Sequence, residues 1–223
     1  MLKNNWIIFE NIDKLSECLA NEILVIAKRS IKLSKKFSIV LAGGTSVVNL
    51  YKILRRSQAD WNQWHVYIGD ERCLPIKNKD RNDYLINKIW LNDGLIPKQN
   101  INFIHAELGM NKGATHYNKI LKNIGDFDVV LLSIGDDGHT ASLFPDHLYD
   151  KDKDVVVEGN SPKYPKNRIS LSYSRLNRSK NVFKVVSGIS KRSAIDLWLN
   201  NVTLPINKVT GQLEKVYISK EVL

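Results

Sequence analysis

Residues 127–140 read FDVVLLSIGDDGHT. The first half is an apolar run rich in valine and leucine, the composition of a strand covered on both faces. The second half drops into glycines, carboxylates and a histidine, the composition of a turn. The flanking sequence repeats this unit. Upstream, FSIVLA (37–42) runs into GGTS and the helical pattern VVNLYKILRR (47–56). WHVYIGD (64–70) runs into DERCLP and a helix near NDYLINKIWL (82–91). INFIHA (101–106) reads as a short strand ahead of the helical THYNKILKNI (115–124). Downstream, VFKVVSG (182–188) precedes the helix KRSAIDLWL (191–199), and VYIS (216–219) reads as a last strand. Ahead of them all, Ile12, Leu15, Leu19, Ile23, Ile26 and Ala27 recur at helical spacing over residues 12–34. Strands alternating with helices predict an α/β fold, a mainly parallel sheet with helices on both faces. No repeat or low-complexity linker divides the chain, so a single domain over residues 1–223 is expected. Residues 148–166 are the least regular stretch and read as an exposed excursion around a short VVV strand.

The composition sets outer bounds. The 223 residues are 43% hydrophobic and 25% charged, the balance of a globular protein that can bury a core. Lys and Arg number 33 against 23 Asp and Glu, a net charge of +10, which favours anionic partners without choosing among them. The basic end of the first helix (Lys28, Arg29, Lys32, Lys35, Lys36) reads as a solvated face with cations suited to a helix C-terminus. A nucleic-acid module would want interleaved aromatics, which are lacking there, so no nucleic-acid partner is expected. Cys18 and Cys73 stand far apart in no CxxC pair, which implies neither a disulfide framework nor a thiolate zinc site and fits a reducing cytoplasm. The opening MLKNNWIIFENIDKL has too short an apolar run for a leader, and no stretch approaches the roughly 20 apolar residues of a membrane span. A cytoplasmic monomer without membrane contact is the expectation.

In an open parallel sheet, ligands sit beyond the carboxyl ends of the strands. Small and polar residues gather at those ends here: Gly43-Gly44-Thr45-Ser46, Asp70-Glu71-Arg72, Gly135 to Thr140, and Ser187-Gly188. The predicted fold puts all of them along one edge. The glycine turn lets the backbone approach a ligand, and the helix opening after it offers free N–H groups suited to phosphate. An N-capped strand-to-helix turn explains the same letters equally well. Arg72 is a candidate anion clamp with Asp70 accepting from sugar hydroxyls, although a surface ion pair reads the same way. His139 is the candidate for proton transfer, because histidine is the side chain suited to exchange protons near neutral pH. Asp137 is the candidate to fix its tautomer.

Other patterns fail on inspection. Asp150-x-Asp152-x-Asp154 begins like a calcium loop, but Val155 replaces the required glycine and Ser161 the bidentate glutamate. His139 and His147 belong to no recognisable zinc spacing, and no GxSxG elbow marks a serine nucleophile. No metal and no cofactor is expected.

GDDGHTASLFP, with FDVVLL ahead of it, resembles the signature of the 6-phosphogluconolactonase family. LAGGTS, GDERCLP, RISLSYSRLN and SGISKRSAI agree in order and spacing, so the resemblance runs through almost the whole chain. It implies a Rossmann-like fold of the glucosamine-6-phosphate deaminase type. It implies the hydrolysis of a small phosphorylated sugar lactone, 6-phospho-D-glucono-1,5-lactone, in the oxidative pentose phosphate pathway. His139 matches the family's catalytic base, with Asp137 beside it. Gly43, Gly44 and Thr45 match the substrate-binding turn, and Asp70 and Arg72 the acid and arginine of DER. Asn82 matches an asparagine that usually follows a serine, where this chain has Arg81. Arg168 and Lys191 match basic residues expected to hold phosphate or polarise the lactone carbonyl; the residues alone would mark neither. Thr45-Ser46-Val47 departs from the commoner Ser-Thr-Pro. The nearest rival is a sugar-phosphate isomerase–deaminase, whose DGH motif continues to a carboxylate that TASLFP lacks.

Overall fold

The computed structural model describes residues 5–223. Its strands are β1 (Trp6–Phe9), β2 (Phe37–Leu41), β3 (Trp64–Ile68), β4 (Asp70–Arg72), β5 (Ile101–Asn102), β6 (Phe127–Ser133), β7 (Val155–Glu158), β8 (Arg168–Leu171), β9 (Ser179–Val186) and β10 (Leu213–Ser219). Its helices are α1 (Ile12–Ser34), α2 (Val48–Arg56), α3 (Asn82–Ile89), α4 (Met110–Leu121), α5 (Tyr173–Asn177) and α6 (Arg192–Leu199).

The predicted parallel sheet is present as seven strands in the order β1-β10-β9-β6-β2-β3-β5. Every pairing in it is parallel. The central strands β2 and β6 are buried almost end to end, as their largely apolar runs predict. Alternation along β3 shows how both faces are covered, since successive side chains point to opposite sides. Trp64 packs with Phe37, Trp61 and Trp90 on the face that α1 covers. Tyr67 points the other way and meets Phe127, over whose opposed ring the Arg175 guanidinium of α5 stacks at 3.8 Å. α1 begins where the apolar period begins: Asn11 caps it, accepting from the N–H groups of Asp13 and Lys14 at 3.1 and 3.0 Å. Asp128 ties the lower end of the sheet together, accepting from Ser30 of α1 (3.0 Å), Ser38 of β2 and Lys180 of β9 (2.8 Å). Burial of such a charge is tolerated because each carboxylate oxygen is hydrogen-bonded.

The structure departs from the sequence reading in its second sheet. Asp70-Glu71-Arg72 is itself a strand, not a turn after β3. It pairs antiparallel with β8, which pairs antiparallel with β7, giving a small three-stranded sheet. The expected VVV strand is β7, one of the two outer strands of that sheet. All four residues of β8, Arg168 among them, are buried. Trp6–Phe9 forms a further parallel strand that its short apolar run does not announce. α4 starts five residues before the predicted 115, and β5 is only two residues long. No described helix is long and apolar enough to cross a membrane.

Candidate active site

A cavity of about 270 Å³ opens at the carboxyl ends of β2, β3 and β6. Its lining includes Gly43, Gly44, Arg72, Asn82, Gly135, His139, Lys163, Arg168 and Lys191. The predicted convergence of strand-end clusters on one edge is therefore what the fold delivers. Larger hollows lie against α1 (about 660 Å³) and between α4 and β7 (about 380 Å³). Neither gathers titratable groups and cations around one space as this cavity does, so chemistry rather than size selects the site.

β6 delivers the histidine. After Ser133 the chain turns back on itself: the Gly135 N–H donates to the His139 carbonyl at 2.7 Å, and the Gly138 N–H to the Gly135 carbonyl at 3.1 Å. That turn brings the Asp137 carboxylate onto His139 Nδ1 in a very short hydrogen bond. Asp137 Oδ1 also accepts the His139 backbone N–H at 3.1 Å. With Nδ1–H committed to Asp137, Nε2 is the free nitrogen of an imidazole that lines the cavity. Burial pushes the Asp137 carboxyl up, but its hydrogen bond to His139 and the imidazole's charge outweigh burial and hold it below the usual carboxylate range. The ring rests on Phe144, centroids 4.7 Å apart. Gly135 is glycine because of this packing. A Cβ there would lie 2.0 Å from His139 Nδ1 and 2.7 Å from Asp137 Oδ1.

The glycine turn after β2 is held by α3. A Cβ on Gly43 would sit 2.0 Å from Asn82 Oδ1. Asn82 cannot yield easily, for its Nδ2 donates to the Asp70 carbonyl (2.7 Å) and carboxylate (3.1 Å). Asp70 in turn accepts from the Ser142 hydroxyl at 2.5 Å. Asp70 is thus a buried support behind Asn82 and does not line the cavity. Thr45 is exposed and lies outside the lining, so of the expected GGT turn only the two glycines face the space. Ser187 and Gly188 also fall outside it, although Lys191, three residues on, is within.

β4 and β8 contribute the guanidinium groups. Arg72 donates from Nη1 to the Asp80 carbonyl at 2.5 Å, while its Nε is buried without a protein partner. Glu71, pointing oppositely, caps α3: its carboxylate accepts from the N–H groups of Asn82 and Asp83, both at 2.8 Å, and from that of Arg72. Arg168 is only 3% exposed. Its Nε donates to the Pro165 carbonyl (3.0 Å) and its Nη2 to the carbonyls of Lys163 (3.2 Å) and Tyr164 (3.3 Å). Only Nη1 is left for a ligand.

Arg81, where the family pattern has a serine, turns away from the cavity. It is buried in ion pairs with Asp83 (2.5 Å) and Glu107 (3.2 Å) and donates to the Leu74 carbonyl at 2.8 Å. Val47, the other departure, is in the core.

Lys163 was not singled out by sequence. It lies in the stretch read as an exposed excursion, yet its side chain lines the cavity, bonds to Asp136 and comes within 4.0 Å of Asp137 Oδ2. Burial, then the charges of Lys191 and Arg168, hold its ammonium below the usual lysine range. Burial likewise lowers Lys191, against the nearby Asp137 carboxylate. The ligand atoms of Asp136, Asp137 and His139 lie within 4.8 Å of one another. A cation could bridge them only by displacing the Lys163 ammonium and the hydrogen bond that orients His139.

A family model described as glucosamine-6-phosphate isomerases/6-phosphogluconolactonase matches residues 10–218. A probable 6-phosphogluconolactonase of Arabidopsis thaliana is 30% identical, the match covering 97% of this chain and 96% of that one. A 6-phosphogluconolactonase of Thermotoga maritima is 30% identical over 82% of this chain and 83% of that one. The crystal structure of 6-phosphogluconolactonase from Thermotoga maritima superposes with a TM-score of 0.87 at 26% identity, covering 96% of this chain and 98% of that one.

Proposed function

This chain belongs to the glucosamine-6-phosphate isomerase/6-phosphogluconolactonase family, and on that premise we propose that it hydrolyses 6-phospho-D-glucono-1,5-lactone to 6-phospho-D-gluconate. The observation that carries the reading is the imidazole itself. His139 Nδ1 is fixed by Asp137 while the ring lines a cationic cavity sized for one phosphosugar.

The chemistry follows from that geometry. Neutral His139 takes a proton through Nε2 from a water that attacks the C1 carbonyl. The Asp137 carboxylate stabilises the imidazolium so formed. The tetrahedral intermediate carries its negative charge on the former carbonyl oxygen, where cations and N–H donors in a poorly solvated site lower its energy. Collapse breaks the bond from C1 to the ring oxygen. The imidazolium returns its proton to that oxygen, which becomes the new hydroxyl, and the acid product leaves. The far phosphate is held by cations of the cavity and by the turn at Gly43-Gly44. Arg72 suits it well, because it lines the cavity and its planar fork matches phosphate oxygens. The reaction belongs to the pentose phosphate pathway, and a reducing cytoplasm suits the two free cysteines.

The test is a coupled assay with freshly made lactone and 6-phosphogluconate dehydrogenase, corrected for spontaneous ring opening. Positioned acid–base catalysis contributes about 10²–10⁴-fold, so His139→Ala should lower kcat by that range with little change in KM. A His139→Ala protein as fast as wild type would remove the proposed base. Ammonia release from glucosamine 6-phosphate, with no lactone hydrolysis, would favour the isomerase–deaminase branch instead.

A further inference from the structure

Four cationic side chains line the cavity: Arg72, Lys163, Arg168 and Lys191. A phosphosugar lactone presents two separate demands for positive charge, a phosphate at one end and a carbonyl that turns anionic at the other. The cations therefore need not share one task, and their bonding partners separate them.

Arg168 is largely occupied by protein. Its Nε and Nη2 reach the carbonyls of Lys163, Tyr164 and Pro165, so it clamps three consecutive residues of the segment between β7 and β8. Ser161 reinforces the clamp: its hydroxyl donates to the Lys163 carbonyl (2.8 Å) and accepts the Lys163 N–H (3.2 Å). The Ser161 N–H donates to the Lys166 carbonyl at 3.2 Å, closing the turn. The guanidinium also lies 5.4 Å from the Phe144 ring on which His139 rests. This backbone ordering fixes the base of Lys163, the one cation in the clamped segment, beside Tyr164, which also lines the cavity. Its ammonium lies at the reacting end, bonded to Asp136 and 4.0 Å from the carboxylate that holds the imidazole.

Resting on the lactonase reading above, we infer that Lys163 is a catalytic residue whose ammonium stabilises the alkoxide developing on C1, and that Arg168 is the positioning residue that presents it. As water attacks, the C1 oxygen becomes anionic within reach of the ammonium, which exchanges part of its hydrogen bonding to Asp136 for one to that oxygen. The proton stays on Lys163; His139 alone carries protons in the reaction. The assignment differs from phosphate holding, because phosphate contacts act equally in the ground and transition states and appear in KM.

The experiment compares wild type, Lys163→Met and Lys163→Arg on two substrates, the phosphorylated lactone and unphosphorylated D-glucono-1,5-lactone, with thermal unfolding as a control. Loss of one oxyanion donor costs about 10²–10³-fold in kcat. Lys163→Met should show that loss on the phosphorylated lactone with KM within about threefold of wild type. It should show the same proportional loss of kcat/KM on the unphosphorylated lactone, and Lys163→Arg should restore part of it. A raised KM confined to the phosphorylated substrate would make Lys163 a phosphate ligand and overturn the assignment. So would an unchanged kcat, whether or not the Tm falls. Wild type inert toward the phosphorylated lactone would overturn the functional reading, and this assignment with it. An active wild type with an equally active Lys163→Met overturns this assignment alone.

Discussion

The two sheets build the site by different means. The seven-stranded parallel sheet supplies backbone and base: the glycine turn after β2 and the imidazole after β6. The three-stranded antiparallel sheet supplies three of the four cations, Arg72 from β4, Arg168 from β8, and Lys163 from the segment joining β7 to β8, while Lys191 follows β9 of the large sheet. In the first, position follows from chain topology, since parallel strands deliver their carboxyl ends to one edge. In the second, position depends on partners far away in sequence, such as the Asp70–Ser170 and Val156–Ser170 pairings. The fold thus draws the base from one sheet and most of the surrounding charge from the other.

The largest expected effect strikes the parallel sheet. Gly135→Ala adds a single methyl group, with no change of charge, at a point 2.0 Å from His139 Nδ1. Neither the ring nor Asp137 can keep its present place, so the base loses both aim and tautomer. A displacement of about 1 Å can cost about 10²-fold in rate, and kcat for the lactone should fall by at least that much. KM should move little, because the cations are untouched. Steady-state kinetics beside an intact far-ultraviolet circular dichroism spectrum would check it. Near-wild-type kcat would mean that the imidazole tolerates movement and that its fixed geometry is not what drives the rate.

The same contrast explains what was legible in the sequence. The parallel strands announce themselves locally: FSIVLA and FDVVLLSIG are mostly apolar on both faces because both faces are covered, and helix spacing marks α1 over its full length. The strand-end rule then places His139, Gly43 and Gly44 without any long-range information. The small sheet gives weaker local signals. β4 is three residues of charge, DER, whose burial follows from pairing with β8 and from Glu71 capping α3. Lys163 lies in the same irregular, lysine-containing stretch as Lys151, Lys153 and Lys166. What distinguishes it is the Arg168 clamp, a set of side-chain to backbone bonds that exists only after folding. Thr45 and Asp70 show the converse, since a matching motif groups both with residues of a cavity that neither of them lines. The backbone turns Thr45 outward, and Asp70 is drawn behind Asn82 by hydrogen bonds.

A middle-sized effect sharpens the charge half of the comparison. Arg168→Lys preserves the positive charge but not the fork that reaches three carbonyls at once. If charge alone mattered, the variant would be nearly silent. With the clamp as its main task, kcat should fall by about tenfold, and amides of residues 161–166 should exchange hydrogen faster than in wild type. The decisive quantity is the coupling with Lys163. Arg168→Lys and Lys163→Met together should cost little more than Lys163→Met alone, because residues acting through one another are not additive. Fully multiplicative losses would separate the two residues and return Arg168 to direct substrate contact.

The smallest effect concerns stability rather than rate, and lies at the seam between the sheets. Glu71 is fully buried with its carboxylate on three backbone N–H groups. Burial, then the charge of Asp83, push its carboxyl from 4.5 up to about 7, against the pull of those donors. In the unfolded chain the same group ionises near its ordinary value. Between about pH 4.5 and about pH 7 the folded protein therefore holds the proton more tightly than the unfolded one. Stability from this group is greatest below that window, declines through it, and is lowest above it. Glu71→Gln cannot ionise, so the difference in Tm between wild type and variant should drift by a few degrees toward the variant as pH rises from 4.5 to 7. A flat difference would mean that the three N–H donors hold the carboxylate ionised throughout. The seam would then be joined by a permanent negative charge on the first turn of α3, beside the Asn82 side chain that packs against the glycine turn.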